Sequence, residues 1–437
     1  MRFRYEVSAI FKYYTSSAQR KGSLLPFPMP CAINLKGYTD MQLQSVCILG
    51  RQPALGLAEL ESLYGAAHIT AVAPQVAGLD VAADKVDFKR LGGSTRLAQV
   101  LAILPTTNWQ KIAPALPDIA CELAESVPTG KIQLGLSAFG LPLSPAKLNA
   151  AGLTLKKTLR AHSGRSVRII PNSETYLNTA QVLHNHLTGK NGIELVLIAS
   201  DDGQTIIART TGVQDITSYT RRDRGRPKRD ARVGMLPPKL AQIIINLAAA
   251  STAPGDKTVL DPFCGTGVVL QEAMLMGFHT YGTDLEKRMI DYSYTNLQWL
   301  RDTLHVSQPT ALLKPGDATS HTWGERVDFV ASETYLGRPF TSAPNPEVLA
   351  KTISECNAIL KKFLQNMHGQ LQPGARLCLA IPAWQVSPGK FKHLPLIDQI
   401  EDLGYNRLSF EHTRSEDLLY YRADQIVARQ LLVLQVK

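Results

Sequence analysis

Thr258-Val259-Leu260-Asp261-Pro262-Phe263-Cys264-Gly265-Thr266-Gly267-Val268-Val269-Leu270 opens with a short β-branched and apolar run that ends in an acid. A Gly-x-Gly turn follows, and apolar residues then resume at helical spacing. This pattern predicts strand, tight loop and helix. Gly265 and Gly267 can take backbone angles closed to other residues, which lets the main chain approach a ligand closely. The helix beyond them presents unpaired N–H groups at its N-terminus. The third glycine of a dinucleotide fingerprint would fall at Leu270, so the pattern points away from a pyrophosphate.

Two further acids extend the site. Phe278-His279-Thr280-Tyr281-Gly282-Thr283-Asp284 reads as the next strand, with Asp284 at its carboxyl end, where a parallel α/β sheet binds ligands. A carboxylate there can accept both hydroxyls of a ribose. Gly316-Asp317-Ala318-Thr319 follows another short apolar run and offers a third acid, suited to an adenine amino group. Any one of them alone reads as an ordinary strand-end cap. Together they describe a pocket for a nucleoside without phosphates, and acids favour a cationic ligand while repelling a dinucleotide. S-adenosylmethionine fits, with Asp261, Phe263, Gly265, Thr266, Gly267, Asp284 and Asp317 as the candidate cofactor-binding set.

The chain around this stretch has 437 residues, enough for two or three domains. Lys and Arg outnumber Asp and Glu by 47 to 37, an excess that favours an anionic partner such as nucleic acid. The six cysteines, at 31, 47, 121, 264, 356 and 378, form no C-x-x-C pair, which argues against a zinc site or a disulfide framework. No run of about 18 apolar residues exists to span a membrane. The expectation is a metal-free cytoplasmic protein. Residues 1–40 mix aromatic and basic residues with the Pro-rich Leu25-Pro26-Phe27-Pro28-Met29-Pro30 and show no sustained periodicity. They read as a disordered extension or a translated upstream segment, with Met41 as the working start.

Residues 41–217 alternate α and β patterns. Gln44 to Gly50 reads as a strand, Ala54 to Tyr64 as a helix, and Pro145 to Ala161 as an amphipathic helix with Leu148, Leu155 and Leu159 on one face. Its Lys147, Lys156, Lys157 and Arg160 lie elsewhere and suit either solvent or RNA. His184 and His186 lack a third ligand at metal spacing and read as surface polar residues. The strongest charge run comes at 218–234, where Arg221, Arg222, Arg224, Arg226, Lys228, Arg229 and Arg232 are relieved only by Asp223 and Asp230. Gly225-Arg226-Pro227 argues against a regular helix there, so the segment reads as a basic linker whose arginines grip RNA phosphates. From 235 to 437 the alternation continues through a Pro-started helix at 236–248, a strand at Val327 to Ala331, and a helix from about Pro346 to His368. A strand at Arg376 to Ile381 and a closing antiparallel pair at Arg407 to Thr413 and Val427 to Val436 complete it.

With these pieces assembled, the chain resembles the THUMP-domain tRNA guanosine N2-methyltransferases, the family that modifies guanosine 10. The matching pieces are Tyr219 to Leu247, Asp261 to Gly267, Gly282-Thr283-Asp284 and Gly316-Asp317-Ala318, with Leu49-Gly50-Arg51-Gln52-Pro53 to Gly65 similar to the family's N-terminal opening. The resemblance implies an α/β, Rossmann-like S-adenosylmethionine methyltransferase domain preceded by an α+β THUMP-like RNA-binding domain, with tRNA as partner. One motif departs from it. The family carries Asp-Pro-Pro-Tyr-Gly after the fourth strand, where this chain has Glu333-Thr334-Tyr335-Leu336-Gly337. By resemblance Glu333 accepts hydrogen bonds from the exocyclic amine, and Tyr335 stacks on the target base from a neighbouring position. The departure keeps open a methyltransferase of another tRNA or ribosomal RNA guanosine, and an RNA-binding protein that retains the cofactor fold without turnover. An adenine-specific DNA methyltransferase is disfavoured by the RNA-type domain in front. An auxiliary subunit is not readable from the residues.

Overall fold

The computed structural model describes residues 43–230, 236–306, 309–340, 342–422 and 425–437. The extension expected at 1–40 and the basic Arg232 lie outside them. Two sheets dominate residues 43–437. The first is built from β1 (Ser45–Leu49), β2 (Ile69–Ala73), β3 (Val76–Leu79), β4 (Ser94–Leu104), β5 (Ile132–Phe139), β6 (Val167–Ile169), β7 (Gly192–Ala199) and β8 (Thr205–Val213). Their order is β2-β3-β1-β4-β8-β7-β5-β6. Pairing is antiparallel except where β5 runs parallel to β6 and β7. With it come the helices α1 (Pro53–Tyr64), α2 (Trp109–Ile112), α3 (Leu116–Glu125), α4 (Pro145–Ser163) and α5 (Thr179–His184). Leu148, Leu155 and Leu159 of α4 are buried together, as their spacing predicts. Inside this half, Arg96 and Glu194 form a buried ion pair at 2.6 Å that also engages Ser137.

The second sheet comprises β9 (Thr258–Asp261), β10 (His279–Asp284), β11 (Ala311–Pro315), β12 (Phe329–Glu333), β13 (Arg376–Ser387), β14 (Lys390–Lys392), β15 (Tyr405–Arg407), β16 (Leu419–Tyr420) and β17 (Val427–Val436). Its main path runs β11-β10-β9-β12-β13-β17-β15. The first five strands are parallel, and β17 is antiparallel to both its neighbours. The first of the two expected closing strands, Arg407 to Thr413, is shorter and earlier than its sequence suggests. It spans Tyr405–Arg407; Leu408 N still donates to Val433 O at 2.9 Å, and residues 409–413 leave the ladder.

Helices cover both faces of this sheet, as a parallel sheet requires. They are α7 (Pro238–Ala249), α8 (Val268–Leu275), α9 (Lys287–Leu304) and α10 (Pro346–His368), preceded by α6 (Ile216–Arg224). The period of two divides the core. Phe329 and Ala331 of β12 pack with α7 and α8, whereas Val330 packs with α10. The result is a Rossmann-like doubly wound α/β domain. Strand order reverses between β9 and β12, so their carboxyl ends open onto the crevice where such sheets bind ligands.

The two halves meet on α1 and α7. Leu55 and Ala58 of α1 join the apolar cluster of α7. Glu59, fully buried, accepts from Gly92 N at 2.9 Å, Gly93 N at 2.8 Å and Asn246 Nδ2 at 2.7 Å. Burial still pushes its carboxyl up to about 7. None of the described helices is long and apolar enough to cross a membrane.

Candidate active site at the sheet's switch point

The Gly loop follows β9 as the strand, loop and helix pattern predicts. Gly265 and Gly267 sit at φ values of 50° and 81°, the left-handed region that favours glycine. At Gly267 space is limiting too, because a Cβ there would lie 2.9 Å from Ser293 Oγ. The loop is held from two sides. Cys264 N donates to Thr283 O at 2.9 Å, tying it to β10, and Ser293 Oγ of α9 donates to Gly265 O at 2.8 Å. Neither serine nor strand contact is readable from the local pattern, since Ser293 lies one helix further along the chain.

The predicted acids stand at successive strand ends. Asp261, at the end of β9, is buried and accepts from Ser332 Oγ at 2.6 Å and from Phe263 N at 3.3 Å. Burial nevertheless pushes its carboxyl up to about 7. Asp284, at the end of β10, accepts from Gly265 N and Glu286 N, each at 2.9 Å. Burial also raises this carboxyl. Two backbone bonds use about half the lone-pair sites of a carboxylate, leaving acceptors for ribose hydroxyls. Asp317, just beyond β11, is exposed and accepts from Thr319 N and Oγ1 at 2.8 Å. These bonds hold it below the usual carboxylate range. Phe263 is half-buried against the edge of Phe363, and Thr266 is buried with its carbonyl accepting from Asn296 Nδ2 at 2.8 Å. The three carboxyls around the Gly loop suit a cationic nucleoside, because Asp261 and Asp284, costly to ionise in isolation, become favourable as carboxylates beside a cation, and Asp317 is already ionised.

The divergent loop closes the crevice from the β12 side. Ser332, buried, makes the bond to Asp261 that joins the two central strands at the switch point. Glu333, the last residue of β12, forms an ion pair with Arg429 of β17. Thr334 N donates to Ala380 O at 3.0 Å, holding the loop on β13. Tyr335 is 39% exposed, an accessible aromatic face two residues from the acid. Gly337 takes φ 85°, and a Cβ there would meet Thr352 at 2.6 Å, which accounts for its presence in the loop. Ser332 and Arg429 are participants that the local sequence pattern does not reveal.

The basic run departs from expectation. Its first half is helical, α6, because Asp215 accepts from Ser218 N at 2.9 Å and caps the N-terminus, and the helix stops at Gly225 before Pro227 can break it. A helix gives the arginines two faces. Arg221, Arg224, Lys228 and Arg229 are exposed, whereas Arg222 and Arg226 are buried and are corrected as phosphate grips. Arg222 pairs with buried Glu272 of α8 at 2.7 Å and lies 4.4 Å from the Tyr219 ring centroid. The segment also abuts the Gly loop. Asn296 of α9 receives a bond from Lys228 N and gives bonds to Lys228 O and Thr266 O, all between 2.8 and 2.9 Å.

A family described as DNA methylase matches residues 190–295. The tRNA (guanine(10)-N2)-dimethyltransferase of Methanothermobacter thermautotrophicus is 32% identical over 150 residues, 34% of this chain and 39% of that protein. The enzyme of the same name from Pyrococcus abyssi is 30% identical over 151 residues, again 34% of this chain and 39% of the relative. The matched part of the chain thus spans about two fifths of these curated relatives. Among solved structures, TrmN from Thermus thermophilus aligns with 91% of this chain and 100% of its own, at 16% identity and a TM-score of 0.46.

Proposed function

We propose that this protein is an S-adenosylmethionine-dependent methyltransferase that modifies the exocyclic N2 of a guanosine in tRNA. One observation carries the reading most. The hydrogen bond from Ser332 to Asp261 places the Gly loop of β9 and the Glu333 loop of β12 side by side across the switch point. A donor of methyl groups and an acceptor amine need such adjacent sites. The names of the curated relatives point to position 10 of tRNA. The chain's first half, residues 41–217, serves as the THUMP-like RNA-binding part, 218–234 as the basic connection and 235–437 as the methyltransferase domain, working in the cytoplasm.

In this mechanism, Asp284 and Asp317 would hold the cofactor's ribose and adenine amine, and the Gly loop would admit it close to the backbone. Bound there, S-adenosylmethionine supplies an electrophilic methyl group on a cationic sulfur. The guanine leaves its stack to enter the crevice. Glu333 accepts an N–H of its exocyclic amine and aligns the nitrogen, and Tyr335 offers a stacking face. The amine is a poor nucleophile because its lone pair is delocalised, so the protein's contribution is position and charge.

A second reading, an RNA-binding protein that keeps the cofactor fold without turnover, is favoured by the engagement of Glu333 with Arg429. Incubation with unmodified tRNA and mass spectrometry of its nucleosides separates the two. Methyl transfer is expected, and Glu333→Ala should abolish it while leaving cofactor and tRNA affinity nearly intact. Tight binding of both ligands with no methylated nucleoside would establish the binder. Full turnover by Glu333→Ala would remove Glu333 from the mechanism.

A further inference from the structure

The loop after β12 lacks what stiffens it in the family it resembles. Thr334 and Tyr335 stand where prolines would fix φ, and Glu333 adds a methylene and one more rotatable bond to the acid. Such a side chain sweeps a larger volume than the aspartate it replaces. A misplacement of about 1 Å is enough to cost about a hundredfold in rate.

The geometry points to Arg429 as the positioning residue of Glu333, holding the acid where two prolines and a shorter side chain do so elsewhere. This inference rests on the methyl-transfer reading. Arg429 is rigidly placed, because it lies within β17 between Pro382 of β13 and Tyr420 of β16 and is only 7% exposed. Its Nε donates to Glu333 Oε1, while Oε2 makes no hydrogen bond among the described residues. The acid is thus fixed by one oxygen and keeps the other for an incoming amine. The remaining loop contacts act in the same sense: Ser332 is tied to Asp261, and Thr334 N to Ala380 O. Charge supports the role too. Asp284 and Glu333 both lie close enough to Asp261 for their charges to act on it, and Arg429 neutralises the one carboxylate of the three that must meet the uncharged base.

Arg429 touches no reacting atom in this arrangement, so its effect is expected in turnover rather than in binding. Full-length wild type, Arg429→Gln and Arg429→Lys are compared for methylation of an unmodified tRNA transcript, with calorimetry of S-adenosylmethionine binding and thermal melting alongside. Arg429→Gln should lower kcat by about a hundredfold with unchanged KM for tRNA and unchanged cofactor affinity. Arg429→Lys, which keeps the cation but not the planar fork, should recover part of that loss. Wild-type turnover in Arg429→Gln overturns the inference alone. A loss shared equally by both variants, or one matched by weakened cofactor binding and a lowered melting temperature, assigns Arg429 a structural role and overturns it as well. Absence of methyl transfer by the wild type overturns the enzymatic reading and this inference with it.

Discussion

Asp261→Asn tests the electrostatic core of the site. Asp261 is fully buried, and burial moves its carboxyl from 3.8 to about 7. At about 1.4 kcal/mol per unit, holding it ionised in the free protein costs about 4 kcal/mol. The sign follows from proton linkage. Between pH 4 and 7 the folded protein holds a proton that the unfolded chain has released, so this group's contribution to stability is complete below about 4 and lost as pH rises through about 7. A cationic ligand reverses the preference, because it favours the carboxylate. Cofactor binding near pH 6 must therefore expel a proton. Affinity for S-adenosylmethionine should weaken by about tenfold from pH 8 to pH 6, with proton release detectable from the buffer dependence of the binding heat. Asparagine keeps an oxygen to accept from Ser332 Oγ and Phe263 N but carries no charge. The free variant should melt at a higher temperature than the wild type at pH 8, bind the cofactor more weakly there, and lose most of the pH dependence. Asp284, also raised by burial, contributes in the same direction in both proteins. Wild-type affinity equal at pH 6 and pH 8, with no proton released, would refute the reasoning.

Further substitutions read the surroundings of the site. Removing Arg222 leaves Glu272 buried and unpaired, so Arg222→Ala should cost about 3–5 kcal/mol in urea unfolding. The exposed pair Arg221→Ala and Arg224→Ala should leave stability unchanged while lowering the slope of log tRNA affinity against log salt by about 0.7–0.9 for each phosphate no longer gripped. An unaltered slope would make the exposed face a solubilising one. Gly267→Ala forces a side chain into the left-handed region against Ser293, a strain of about 1–3 kcal/mol. It should lower both melting temperature and cofactor affinity, and wild-type values for both would show that the loop relaxes freely.

The local signals in the sequence are strong where one short segment carries its own geometry. Gly265 and Gly267 announce their turn because the left-handed region has few other tenants, and Pro346 to His368 emerges as a helix with its observed limits because its apolar period is long. What eludes the sequence is partnership between distant segments. Ser332 reads as one polar residue in a strand until β12 lies beside β9 and its hydroxyl faces Asp261. Arg429 reads as a charge inside an apolar strand until β17, two strands from β12, brings it to Glu333. The basic run misleads for a related reason. Seven cations in the twelve positions from Arg221 to Arg232 suggest one solvated surface, but a cap at Asp215 winds the first of them into a helix, and a helix must choose which side faces Glu272. Composition counts charges, whereas the fold divides them. Arg222 anchors the segment to α8, Asn296 fastens Lys228 to Thr266 of the Gly loop, and the cations left outside are thereby held beside the crevice instead of trailing from it.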